Sequence, residues 1–282
     1  MWEPHLEAVC RKNKRRRLMG ELISPLFISR MERKYKVEPE EVPALLDALA
    51  AKMQRSEYIT GRPVVHIATL YFDTPEFHFA KKASCDGVVS IKLRAKDYSY
   101  RVNRLVETSD FCWIEIKSRN GIATEKWRFP LGKGLVKGLF FDEDLKDPVA
   151  ECAKENGADA VQALSNYERF RSHLREFRIA PSTVVTYSRH VFTLEEWDLR
   201  LTVDCNVRYF QAPTNPYSGN RAITAEQLGK PTSCENSAIL ETKSGNGLPG
   251  WLWQMLKSCR SAQEYSKFVS SSKPLMRKMN SQ

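Results

Sequence analysis

The sequence predicts an α+β protein: a set of antiparallel strands with helices on their apolar side. Three observations predict it. Six strand-like runs alternate apolar and charged residues, so each has one apolar and one charged face. Gly or polar breaks separate the runs, and Asn120-Gly121 between two of them is a hairpin signal. Two further stretches repeat apolar residues every three or four positions, the spacing of an amphipathic helix. An antiparallel sheet with one wet face shows such alternation. A closed barrel shows it too, with helices over an apolar outside and a charged, wet inside. The charges are mainly Lys and Arg with few acids to pair them, which favours the barrel.

In chain order, residues 1–25 read as a basic arm, and Phe27–Val37 as a strand. A helix follows, with Pro39 near its start and Val42, Leu45, Leu46, Leu49 and Met53 at helical spacing. Strands are expected at Val64–Phe72, Val88–Ala95, Trp113–Ser118 and Thr124–Pro130. Residues 148–178 are expected to be helical, opened by Pro148, broken at Gly157, and carrying Val161, Leu164, Tyr167, Phe170, Leu174 and Phe177 on one stripe. Strands resume at Thr183–Phe192 and Leu199–Arg208. The Pro-, Asn-, Gly- and Ser-rich stretch 210–237 reads as a long loop. A strand at Ala238–Lys243 and a helix from about Trp251 follow, with Trp251 and Trp253 placed in the core. The domain is expected to span 26–270, and 271–282 to be a loose tail.

The charged faces can be written out. Glu32, Lys34 and Lys36 share one, and Lys92 and Arg94 oppose Ile91 and Leu93. Glu115 and Lys117 oppose Ile114 and Ile116, and Lys126 and Arg128 oppose Trp127 and Phe129. Arg200, Thr202 and Asp204 oppose Leu199, Leu201 and Val203, and Glu241 and Lys243 oppose Leu240. Cations converging on a narrow channel have one evident ligand, a chain of phosphates. The net charge of +10 on 282 residues agrees with a polyanionic partner.

Several classes are excluded. Seven widely spaced cysteines without a CxxC pair read as reduced cytosolic thiols, so the expected compartment is the cytoplasm. Five histidines form no HExxH, which argues against zinc. No run of 18 apolar residues predicts a membrane-spanning helix, and no convincing signal peptide opens the chain. Gly245-Asn-Gly-Leu-Pro-Gly250 spells GxGxxG, but Pro249 stiffens it and no βαβ pattern follows, so it reads as a turn. There is no P-loop. Without an RNP-like motif or a basic recognition helix, no nucleic-acid partner is expected.

Eight short motifs occur in order: Arg30-Met-Glu-Arg-Lys-Tyr35, Thr69-Leu-Tyr-Phe-Asp-Thr-Pro75, Ile91-Lys-Leu-Arg94, Ile114-Glu-Ile-Lys117, Tyr187-Ser-Arg189, Leu199-Arg-Leu-Thr-Val-Asp204, Leu240-Glu-Thr-Lys243 and Tyr265-Ser-Lys-Phe268. Together they resemble the VTC domain, the polyphosphate polymerase domain of the vacuolar transporter chaperone complex, within the triphosphate tunnel metalloenzymes. The likeness runs from about residue 27 to 270. It implies an eight-stranded antiparallel β-barrel tunnel with flanking helices, lined by Lys and Arg. It also implies a transferase that makes polyphosphate from ATP with a divalent metal, manganese or magnesium. On this resemblance Lys34, Lys92, Arg94, Lys117, Arg189, Arg200 and Lys267 carry over as tunnel cations and Glu241 as the metal-binding glutamate. Lys126 and Arg128 join them by alternation. CYTH relatives open with Glu-x-Glu-x-Lys, whereas here Arg30 replaces the first acid, which agrees with the polymerase branch. The membrane helices and SPX domain of the eukaryotic complex are not visible, so a membrane partner stays open.

The mechanism so implied has Lys92, Arg94, Lys117 and Arg200 hold the γ-phosphate of ATP, with Lys34, Lys126, Arg128, Arg189 and Lys267 along the chain and a hard cation on Glu241. The acceptor is polyphosphate, or phosphate or pyrophosphate at the start. Tripolyphosphate hydrolysis and nonenzymatic polyanion binding are the alternatives. The residues alone leave other roles open: Lys34, Lys36 and Lys126 as solvated strand lysines, Glu241 as a partner of Lys243, Asp204 as either kind. Glu32 and Glu115 read as orienting lysines, and Asp73 as capping the turn at Pro75.

Overall fold

A computed structural model describes residues 31–57, 59–85, 89–102, 105–121, 123–218 and 221–281. The expected basic arm, the start of the first expected strand and Arg30 lie outside them. The described strands are β1 (Met31–Val37), β2 (Gln54–Arg55), β3 (Val64–Asp73), β4 (Val89–Val102), β5 (Leu105–Thr108), β6 (Phe111–Asn120), β7 (Ala123–Gly132), β8 (Ala180–Leu194), β9 (Leu199–Gln211), β10 (Ser233–Cys234), β11 (Ala238–Ser244) and β12 (Arg260–Ser261). The described α-helices are α1 (Val42–Ala50), α2 (His78–Cys85), α3 (Lys146–Glu155), α4 (Ala160–Glu176), α5 (Ala225–Leu228), α6 (Gly250–Leu256) and α7 (Lys267–Asn280).

These elements form two compact units. One comprises the described residues from Met31 to Val65 with Ser188–Cys205 and Asn236–Gln263. The other comprises His66–Tyr187, Asn206–Glu235 and Glu264–Gln282. In the first the strand order is β12-β1-β11-β9-β8, and in the second β9-β8-β3-β4-β6-β7. Every described register is antiparallel. Among the described residues no pairing joins β12 to β7, so a large antiparallel sheet with helices is shown and the closure of the expected eight-stranded barrel is not. Closing a sheet into a barrel requires its two edge strands to pair. Here β12 is two residues long and meets β1 only at Tyr35 and Lys36.

The first unit has its core on the apolar side of β1, β11 and β9. Tyr35, Leu240 and Val203 lie abreast in the register, and they pack with Leu45 and Leu49 of α1 and Leu252 and Leu256 of α6. The helix expected near Pro39 starts as a 3-10 turn, Pro39–Glu41, and continues as α1. Trp251 packs on this core, but Trp253 does not belong to it. It is 42% exposed, with the Arg33 guanidinium 5.0 Å from its ring centre.

In the second unit, Leu93, Ile116, Ile114 and Phe129 form the apolar face of β4, β6 and β7. Phe129 meets Tyr167 and Phe170 of α4 at 5.6 and 5.9 Å between ring centres. The expected helix at 148–178 is α3 and α4, broken at Gly157, whose φ of +67° suits a residue without a Cβ. Asp159 caps α4 by accepting from the Gln162 amide. The hairpin at Asn120-Gly121 is present, with Asn120 opposite Ala123 and Gly121 at φ +61°. The expected loop at 210–237 carries α5, opened by a capping box at Thr224 and Gln227, and β10. Helix α2 follows directly on β3. Asp73, expected to cap the turn at Pro75, accepts from the amides of Thr74, Phe79 and Ala80 and so anchors α2 as well.

The expected loose tail is also corrected, because residues 271–280 are the body of α7. Pro274 inside a helix removes a backbone bond and normally breaks it. Burial outweighs this. Phe268 is completely buried with its ring 4.9 Å from that of Tyr71, and the Ser271 hydroxyl meets that of Thr183 at 2.8 Å. Ser271 and Ser272 both donate to the Phe268 carbonyl. Phe268→Leu should therefore cost about 1–2 kcal/mol. Chemical denaturation measures it, and a change under about 0.3 kcal/mol would mean that α7 is not held through this ring.

Candidate functional site

Strands β4, β6 and β7 pair in a register that sets Lys92 opposite Lys117 and Lys117 opposite Lys126. Two residues along, Arg94 lies opposite Glu115 and Glu115 opposite Arg128. Lys96 follows, opposite Trp113. These three rows bring together six cations and one carboxylate on one face of three adjacent strands. Directly opposed like charges destabilise a sheet. Three lysines abreast raise the energy of the ligand-free protein, and an anion among them lowers it.

Glu115 organises this face. Its side chain is inaccessible to solvent, and it accepts from Arg94 Nε at 2.8 Å and Nη2 at 2.7 Å, with Lys126 Nζ at 3.1 Å. Burial alone would raise its carboxyl. Lys126, Arg94 and Lys96 overcome that and hold it well below the usual range. Burial lowers the Lys126 ammonium, with Arg128 and Arg94 adding to the effect against Glu115. Arg128 stacks on Trp113 at 4.5 Å. Tyr71, opposite Arg94, is pushed up by burial and remains a phenol able to donate. At the start of α7, Ser266 caps the helix and accepts from Lys92 Nζ at 3.0 Å. Lys267 Nζ lies 4.8 Å from the ring centre of Tyr187 and 5.6 Å from that of Tyr265.

A depressed carboxyl fixes the sign of a pH effect. Stability from Glu115 is fully present above its unfolded value, about 4.3, and is lost as pH falls through the lower folded value. Glu115→Gln should lower stability at neutral pH and flatten its loss under acid. Denaturation midpoints taken from neutral to acid pH test this, and parallel curves for the two proteins would contradict it.

The first unit has a charged face of its own. Glu32, Lys243 and Arg200 lie abreast on β1, β11 and β9, then Lys34, Glu241 and Thr202, then Lys36, Ile239 and Asp204. Glu32 pairs with Lys34 at 3.0 Å and Lys243 at 3.6 Å, and Lys243 reaches Glu241 at 2.7 Å. Arg189 grips Asp204 through Nε at 2.6 Å and Nη2 at 2.8 Å. Burial would raise the Glu241 carboxyl, but Lys243, Arg189 and Lys34 hold it far below its ordinary value.

Among the described residues no three His, Cys, Asp or Glu side chains gather where they could hold a metal. The donors that do lie side by side are the ionised Glu241 and, opposite it, the Thr202 hydroxyl, which is buried without a hydrogen-bond partner. Both are hard oxygen donors. They fit a divalent ion whose remaining positions are filled by phosphate oxygens and water.

Lys92, Arg94, Lys117, Lys126, Arg128 and Lys267 thus belong to the second unit, and Lys34, Arg189, Arg200 and Glu241 to the first. Sequence reasoning passed over Lys96, Tyr71 and Ser266. Lys96 was lost because the expected strand stopped at Ala95, although β4 continues to Val102. Tyr71 shows no charge to mark it, and Ser266 caps a helix most of whose length falls in the stretch read as a loose tail.

A family model described as the VTC domain matches residues 29–276. No curated protein matches the chain closely enough to count. Among solved structures, an adenylate cyclase-like protein from Bacillus halodurans is 14% identical, with a TM-score of 0.41, covering 81% of this chain and 88% of that one. The PH1012 protein of Pyrococcus horikoshii OT3 is 12% identical with a TM-score of 0.32, covering 81% and 88%. An adenylate cyclase-like protein from Vibrio parahaemolyticus is 8% identical with a TM-score of 0.34, covering 87% of each chain.

Proposed function

The chain belongs to the VTC domain family, and from that premise we propose that it lengthens polyphosphate by transferring the γ-phosphate of ATP. The observation that carries this reading is the lysine row Lys92–Lys117–Lys126, with Arg94, Glu115 and Arg128 in the next row of the register. Such a face suits a ligand with one negative charge per repeat. A single small carboxylate would leave most of its donors unused.

Phosphoryl transfer needs positioning and charge stabilisation more than covalent help from the protein. Lys92, Arg94 and Lys117 hold the γ-phosphate and take up charge as it spreads over the equatorial oxygens. Lys126 and Arg128 extend the same face for chain phosphates, and Lys267 adds a cation at the start of α7. Arg200, Lys34 and Arg189 offer chain-binding cations on the face of the first unit. The terminal oxygen of polyphosphate, phosphate or pyrophosphate is already anionic near neutral pH, so the attack needs no strong general base. A bond forms between this oxygen and the γ-phosphorus, the β–γ bridge breaks, and ADP leaves. Glu241 and Thr202 would hold a manganese or magnesium ion, which when bound supplies charge neutralisation to phosphate oxygens. Lys243, Arg189 and Lys34 keep Glu241 ionised for that role.

No described helix is long and apolar enough to cross a membrane. The test is incubation of the protein with ATP and Mn²⁺, with pyrophosphate as primer, followed by a gel. A ladder of phosphate chains is the expected result. Orthophosphate release without a ladder would indicate hydrolysis instead, and tight polyphosphate binding without turnover a binding module.

A further inference from the structure

Helix α7 continues well past the charged face. At about 100° per residue, positions 266, 270, 273 and 277 fall within an arc of about 60° around its axis. Ser266, the first of them, accepts from Lys92 Nζ. The other three, Ser270, Lys273 and Arg277, line one side of a groove of about 390 Å³ whose opposite wall includes Tyr209, Thr232 and Glu235. From Ser266 to Arg277 the helix rises roughly 16 Å. The Tyr209 hydroxyl meets that of Tyr265 at 2.7 Å, and Lys267 sits over the Tyr265 ring. The groove wall is thus tied through Tyr265 to Lys267.

The groove is built for an anion. Lys273 and Arg277 are exposed, one helical turn apart, and neither enters an ion pair among the described residues. Glu235 is the one carboxylate on the wall, set against two cations and the hydroxyls of Ser270 and Tyr209. Cations repeating at about 6 Å along a helix suit a ligand that repeats its own charge, because a flexible phosphate chain can place successive oxygens on each. A lone phosphate gains only one such contact.

We propose that this groove is a second polyphosphate subsite, holding chain beyond the phosphates gathered at Lys92, Arg94 and Lys117. It rests on the reading of the protein as one that handles polyphosphate. The subsite matters for long chains and not for short ones, since tripolyphosphate can fill the lysine row without reaching Arg277.

The test compares tripolyphosphate with a long-chain polyphosphate by titration calorimetry at fixed salt. The proteins are the unaltered chain, Lys273→Ala with Arg277→Ala, and a control with Lys81→Ala and Lys82→Ala. All four positions are exposed, so the variants should fold. The groove variant should bind long chains about fivefold more weakly and tripolyphosphate unchanged, with a shallower salt dependence for long chains. The control should match the unaltered protein. Equal long-chain affinity in all three, with tripolyphosphate binding intact, overturns the groove and leaves the proposed function standing. An equal loss in the control, or a loss for tripolyphosphate as well, also overturns it, because the effect would then be general charge or the first site. If the unaltered protein binds no phosphate chain of any length, the proposed function falls and the groove with it.

Discussion

Replacing Lys117 by glutamine should slow ATP-driven chain growth by about a hundredfold or more while leaving the protein at least as stable as before. The two effects have opposite signs for one reason. Lys117 is the middle of three lysines abreast, with Lys92 on one side and Lys126 on the other. In the absence of a ligand this arrangement is repulsive, and removing the central charge should return about 0.2–1 kcal/mol. With a γ-phosphate in place the same ammonium stabilises developing charge, and losing such a donor typically costs two to three orders of magnitude. The measurement pairs a gel of product length with a denaturation midpoint. If Lys117 were a structural residue both quantities would fall together, and that result would remove the main support for an anion site. Lys92→Ala with Arg94→Ala should abolish synthesis without unfolding the protein. It is less diagnostic, because Arg94 also neutralises the buried Glu115 and Lys92 donates to Ser266. Part of any loss would then reflect those contacts.

The charged faces were legible because their signal is local. A period of two along Ile91–Arg94, Ile114–Lys117 and Lys126–Phe129 places each cation without knowledge of its neighbours. The register then brought Lys92, Lys117 and Lys126 abreast, which no single strand encodes. Closure was not legible for the same reason. An open sheet and a barrel present identical alternation, and only the pairing of edge strands separates them. β12, at two residues, is too short to be seen in a sequence at all. The C-terminal stretch misled because chain ends are usually poorly ordered, whereas buried Phe268 and two serine hydroxyls hold α7 despite Pro274. Trp253 misled because a tryptophan in a helix usually meets a core, whereas this one, two residues from Trp251 and so on another side of α6, lies exposed under Arg33. Lys133 and Asp97 escaped notice because each looks like an ordinary surface charge until the fold buries both.

That buried pair carries the largest expected effect on stability. Lys133 and Asp97 have side chains almost wholly removed from solvent, with Nζ 2.8 Å from Oδ1. Lys133 also reaches the Thr108 hydroxyl at 2.6 Å. Thr108 in turn donates to Asp97 at 3.1 Å, and the Ile223 amide donates to the other carboxylate oxygen at 3.2 Å. Burial already pushes the Asp97 carboxyl up, and Lys133 is the chief influence holding it down. Lys133→Met would strand that carboxylate, at a cost of about 3–5 kcal/mol. Asp97 in the variant should titrate higher still. A folded value raised above the unfolded one gives stability that is present at low pH and lost as pH rises through it, so the deficit of the variant should shrink under acid. Adding Asp97→Asn keeps a carbonyl oxygen for the Ile223 amide, turns an NH2 towards the Thr108 hydroxyl, which can accept from it, and removes the charge, so it should recover most of the loss. A double-mutant cycle from urea midpoints reads the coupling directly. Additive losses would show that the two groups do not depend on each other, and that the end of β7 is held by packing around Val136 and Leu139 instead.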